Sequence, residues 1–95
     1  MHVNVSDLRA LTEQLFSHLE KNGHNSIEIS NDYYWDIPKE CRYDPTQEPK
    51  DFNLGQITDD WAELLKILEG SSEPIGYALV WLSSILRAAG EEIID

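Results

Sequence analysis

The chain has 95 residues, 18 of them acidic and 7 basic, for a formal net charge of −11 at pH 7. At this length one domain with a single core is expected, and 41% hydrophobic with 26% charged residues is a globular balance rather than a disordered one. The sign of the charge argues against binding phosphate backbones or anionic membranes by neutralisation, and the single cysteine, Cys41, excludes an intramolecular disulfide framework.

Met1 to Asp7 lacks a basic region followed by an apolar run, so no signal peptide is read and a cytoplasmic location is expected. Val5 to Asn22 then reads as an amphipathic helix. Leu8, Leu11, Leu15 and Leu19 recur at three- and four-residue steps, with Phe16 beside them. Ser6 suits the N-cap, Asp7 suits the positive end of the helix dipole, and Gly23 suits a left-handed stop.

From His24 the period changes. Ser26-Ile27-Glu28-Ile29-Ser30 alternates polar and apolar, Asn31-Asp32 offers turn chemistry, and Tyr33 to Ile37 alternates again. A short hairpin is expected, with Tyr33, Trp35 and Ile37 inward and Tyr34 and Asp36 outward. Two strands are marginal alone, so the hairpin must lie on a helix or pair its edge. Positions 38–53 read as a Pro-rich irregular loop, because Pro38, Pro45 and Pro49 forbid a continuous helix.

Thr58, followed by Asp59 and Asp60, reads as the start of a second helix that runs to about Glu69. Its apolar stripe is Ile57, Trp61, Leu64, Leu65 and Leu68. Gly70-Ser71-Ser72 ends it. Pro74 opens a third helix, Gly90 is expected to close it, and 91–95 reads as an acidic tail. From Pro74 to Leu86 this helix carries no charged residue, although the chain is strongly acidic. Such a segment must be a core element, an oligomer interface, or both. The fold class expected is α+β: a single small domain, 1–95, of three helices packed with a short β-hairpin, in the order α-β-β-α-α.

Candidate chemistry is sparse. Asp59 and Glu63 share a helical face beside Asp60 and can approach a divalent ion, but acidic residues in a first turn are accounted for by the helix dipole. His2, His18 and His24 show no metal-ligand spacing. Cys41 lies between Lys39 and Arg42, which favours a thiolate, yet no general base can be assigned to it. No catalytic residue, metal or cofactor is expected.

Three segments carry a resemblance: Tyr33-Tyr34-Trp35-Asp36-Ile37-Pro38, Leu54-Gly55-Gln56-Ile57-Thr58-Asp59-Asp60-Trp61, and Tyr77-Ala78-Leu79-Val80-Trp81-Leu82. Together they resemble a group of small acidic bacterial proteins of uncharacterised function. The resemblance runs over most of the chain from Asp32 onward. It implies a bacterial, cytoplasmic origin and carries no activity. Small acidic immunity proteins of bacterial toxins share the size and charge, without a shared motif.

The function expected is a non-enzymatic protein-interaction module, with a homodimer as one form. The contact residues expected are Tyr34, Asp36, Tyr77 and Trp81, with Asp59, Asp60 and Glu63 steering a basic protein partner. One alternative is an inhibitor or immunity-type protein that binds a basic partner through its carboxylates. A second is a small metabolite-binding protein or enzyme with a pocket beside the Pro-rich loop.

Overall fold

The first helix, α1 (Val5–Lys21), ends as its sequence requires: Asn22 is the C-cap and Gly23 follows at φ 85°. The Gly23 and His24 amides bond back to the Glu20 and Leu19 carbonyls at 3.1 and 2.9 Å. This geometry belongs to a computed structural model that describes residues 1–36 and 53–93. At its start α1 is capped by Asn4 rather than Ser6. The Asn4 carbonyl accepts from the Asp7 and Leu8 amides, both at 3.1 Å.

Strand β1 (Tyr33–Asp36) pairs antiparallel with β2 (Asn53–Gln56), in the register Tyr33–Gln56, Tyr34–Gly55, Trp35–Leu54 and Asp36–Asn53. The helices α2 (Ile57–Leu68) and α3 (Ala78–Ile93) follow. The element order is α-β-β-α-α, a small α+β domain as expected from the sequence. No helix among the described residues is long and apolar enough to cross a membrane.

The hairpin itself is built differently. Ser26–Ser30 forms no strand, and β2 takes the place expected for it. Ile27 and Ile29 are half-buried while Ser26, Glu28 and Ser30 are exposed, so the alternation there describes burial and not ladder pairing. The facing of β1 is also inverted. Tyr34 is half-buried, whereas Tyr33 and Trp35 are exposed, Trp35 at 70%. The cause lies opposite Tyr34. A side chain at Gly55 would fall within the Tyr34 ring, so glycine at this register position makes room for the ring to cross the strand.

Three boundaries shift for local reasons. The N-cap of α2 is Gln56, two residues earlier than Thr58 suggests, because Asp32 supplies the capping oxygens from outside. Before α3, the Ala78 and Leu79 amides bond to the Ile75 and Gly76 carbonyls at 3.0 and 3.1 Å, so a tight turn precedes the helix and Ala78 opens it. Gly90 does not end α3. The last turn continues to Ile93, held by an Arg87–Glu91 pair at 3.1 Å and by Glu92, which Ser30 grips. Residues 91–93 are therefore helical. Of the expected loop, 38–52 lies outside the described residues, as do Cys41 and the end of the tail at 94–95, while Asn53 belongs to β2.

The core sits at the start of α2. Among the described residues Ile57 is the buried hydrophobic side chain, at 7% exposure, and Asp60 the buried polar one, at 8%. α3 packs along α2, and the hairpin closes on the same end.

Gly55→Ala should lower stability by about 1–3 kcal/mol through overpacking against Tyr34. Urea denaturation checks this. The loss should shrink when the ring is also removed by Tyr34→Ala, since the two sites share one contact.

Candidate interaction surface

Asp60 stands three residues after Ile57 and four before Leu64, so it lies in the apolar stripe of α2. Its Oδ2 accepts from the Tyr34 hydroxyl at 2.6 Å and from the Ser84 hydroxyl at 2.6 Å. The Ser84 Oγ is also 2.8 Å from the Trp81 carbonyl, so one proton is shared between two acceptors. One carboxyl group thus joins β1, α2 and α3. Tyr34, expected to point outward, instead serves this joint.

A second joint sits half a turn earlier. The Asp32 carbonyl accepts from the Ile57 amide at 2.6 Å. Its Oδ1 accepts from the Thr58 hydroxyl at 2.6 Å and the Thr58 amide at 2.7 Å, and its Oδ2 from Gln56 Nε2 at 2.7 Å. The carboxylate therefore caps α2 and faces the positive end of its dipole. These bonds, that of the Thr58 hydroxyl foremost, hold the Asp32 carboxyl below its ordinary pKa. Glu92 is likewise lowered, first by the Ser30 hydroxyl at 2.6 Å and then by the Ser30 amide at 3.0 Å.

Around these joints two concave surfaces remain. The first is a cleft of about 870 Å³ between β1 and α3. Of the expected contact residues, Tyr34, Asp60, Tyr77 and Trp81 all line it. Tyr77 and Trp81 meet edge to face, with ring centroids 5.7 Å apart and planes at 84°. Asp59 and Glu63 are not brought into this cleft. Asp59 is exposed, and Glu63 is half-buried and bonded to Lys66 at 3.0 Å. Asp36 pairs through its backbone with Asn53, and its side chain lies outside the described part of the structure. The second surface is a groove of about 1230 Å³ between α1 on one side and α2 and α3 on the other.

Four residues that matter here are not among the expected contact residues: Asp32, Gly55, Ser84 and Glu92. Ser84 does share a helical face with Trp81 and Ala88, and that spacing marks it as inward-facing. Asp32 and Glu92 carry no such signal, because their partners are distant in sequence. No group of three histidine, cysteine or acidic side chains is poised to hold a metal among the described residues. Compared with known proteins, the chain matches no family model, no curated protein and no solved structure.

Two outcomes check these joints. Asp60→Ala strands two hydroxyls and should destabilise by about 1–3 kcal/mol, whereas the triple change Asp60→Leu, Tyr34→Phe and Ser84→Ala should recover part of that loss. Chemical denaturation of the set reads both. The acid limb of stability tests Asp32 and Glu92. Their ordinary pKa values are 3.8 and 4.5, and both are lowered in the fold. Their contribution is thus complete above those values and is lost as pH falls through the depressed folded values. Melting temperatures of wild type and of Asp32→Asn with Glu92→Gln, followed from neutral pH to below those values, should converge at the acid end.

Proposed function

We propose that the chain is a non-enzymatic protein-interaction module that self-associates through the outer face of α3. The observation that carries this reading is the scarcity of buried apolar side chains beside the abundance of exposed ones. Ile57 is the buried hydrophobic residue of the described part, while Leu8, Leu11, Leu15 and Phe16 on α1 and Leu79, Leu82 and Leu86 on α3 are exposed. Scattered exposed leucines are ordinary, but a helix that leaves its apolar stripe uncovered offers an association surface.

The outer face of α3 suits a second copy. Leu79 and Leu82 stand three residues apart on this helix, and Leu79 is 71% exposed. No charged residue stands between Pro74 and Leu86, so this face does not add to the repulsion between two chains of −11 each. The Tyr77–Trp81 pair lies on the other side of α3, in the cleft against β1.

The non-enzymatic part of the reading is supported by what the concave acidic groups do. Asp32, Asp60 and Glu92 hold segments of the chain together. An acid or base for catalysis needs reach to a substrate, and these oxygens reach the protein's own donors.

Sedimentation equilibrium over a range of concentrations tests the proposal. Wild type should show a concentration-dependent shift to twice the protomer mass, and Leu79→Asp with Leu82→Ser should remain at protomer mass with helix content retained. A wild type that stays at protomer mass at the highest concentrations, and melts at a concentration-independent temperature, overturns it.

A further inference from the structure

The groove between α1 and the α2–α3 pair takes in α3 from Ile85 onward, whereas Leu79 and Leu82, nearer the helix start, do not line it. We infer that it receives one amphipathic helix of another protein, apolar on the inserted face and flanked by lysine or arginine. The inference rests on the interaction-module reading and names the partner chemistry for a second surface of that module.

Size comes first. The groove holds about 1230 Å³. Pockets for small ligands run to about 300–1,000 Å³, so this one is larger than a metabolite needs. A helix is about 10 Å across and rises 1.5 Å per residue, so the volume matches roughly three turns of helix.

The lining comes second. Leu15 and Phe16 of α1 face Ile57 and Trp61 of α2 and Ile85 and Leu86 of α3 across the groove. Phe16, Trp61 and Leu86 are each more than a third exposed, so their faces await a cover. Apolar walls spread over three helices take the i, i+3, i+4, i+7 side chains of an inserted helix. α1 is also suited to adjust around an occupant. Among the described residues its side-chain hydrogen bonds are local, from Thr12 to the Leu8 and Arg9 carbonyls, from Ser17 to Glu13 and from Asn22 to His18, and none of them ties it to α2 or α3.

Charge decides the occupant. Among the described residues, the fully charged ones lining the groove are Glu20 and Asp32, both acidic, beside His18 and His24, and no lysine or arginine lines it. A second copy does not complement such a rim. α1, α2 and α3 each carry more acidic than basic side chains. A cationic helix from another protein is attracted both by the rim and by the net charge of −11.

The test uses the full chain and two synthetic helical peptides of about 14 residues, with one shared leucine face. One peptide has lysine flanks and the other glutamate flanks. Fluorescence anisotropy should show the lysine peptide binding at least about tenfold tighter, with affinity falling as salt rises from about 50 to about 300 mM. Phe16→Glu and Leu86→Glu should each weaken it about tenfold, while Leu68→Glu, on an exposed side chain that lines neither concave surface, should leave it within about twofold. Amide chemical-shift changes in the wild-type protein should cluster on α1 and on the groove side of α2 and α3, which keeps the assignment testable if a variant fails to fold.

Equal affinity for both peptides, or shifts confined to the Leu79 face, overturns the groove inference and leaves the module reading standing. So does absence of peptide binding in a chain that still dimerises. Absence of peptide binding in a chain that is also a stable monomer removes both.

Discussion

Within a single turn at the start of α2, Ile57, Thr58 and Asp60 make contact with the segment before β1, with β1 itself and with α3. Both buried residues of the described part lie in that turn. The hairpin reaches it through the Tyr34 hydroxyl, the upstream segment through Asp32, and α3 through Ser84. The spatial arrangement of these elements thus depends on a few short polar bonds converging on one helix end.

Polar joints and apolar cores do different work. A hydrogen bond within a protein contributes about 1 kcal/mol net, because it replaces bonds to water. Full burial of one large aliphatic or aromatic side chain contributes about 1.5–3 kcal/mol. The Asp32, Asp60 and Glu92 bonds fix where the elements sit. They do not substitute for the apolar area that α1 and α3 leave uncovered. A fold whose geometry is set by hydrogen bonds and whose apolar stripes stay open has its orientation specified and its burial incomplete.

The elements were legible in the sequence where periodicity was strong. The four leucines of α1, the stripe of α2 and the apolar run of α3 gave the helices, and Gly23 and Gly70, at φ 85° and 83°, gave two of their stops. The hairpin was legible as a type of element but not as a pairing. Ser26–Ser30 alternates as β1 does, and nothing local says that the distant Asn53–Gln56 is the strand β1 chooses. The choice turns on the Tyr34 ring over Gly55, a contact across 21 positions. Of the candidate surface, Tyr77 and Trp81 follow from their place on an uncharged helix. Asp60 was grouped with Asp59 and Glu63 as a steering charge, although its spacing from Ile57 and Leu64 places it inward. The helical period outweighs the charge there because two hydroxyls satisfy the carboxyl group.

The borrowed cap of α2 bears on how the chain acquires its structure. Gln56 makes no side-chain cap bond, and the oxygens that satisfy the Thr58 amide come from Asp32, 26 positions upstream. A helix of 12 residues is short for independent existence in water. The stability of its first turn therefore depends on the segment that carries Asp32 and β1 being in place. The entropy of closing that separation opposes this arrangement, and it grows only slowly with length, by about 0.6 kcal/mol for each doubling of the closed loop. Helix α2 is thus held at its start by a long-range clasp, in a molecule whose helices are otherwise local.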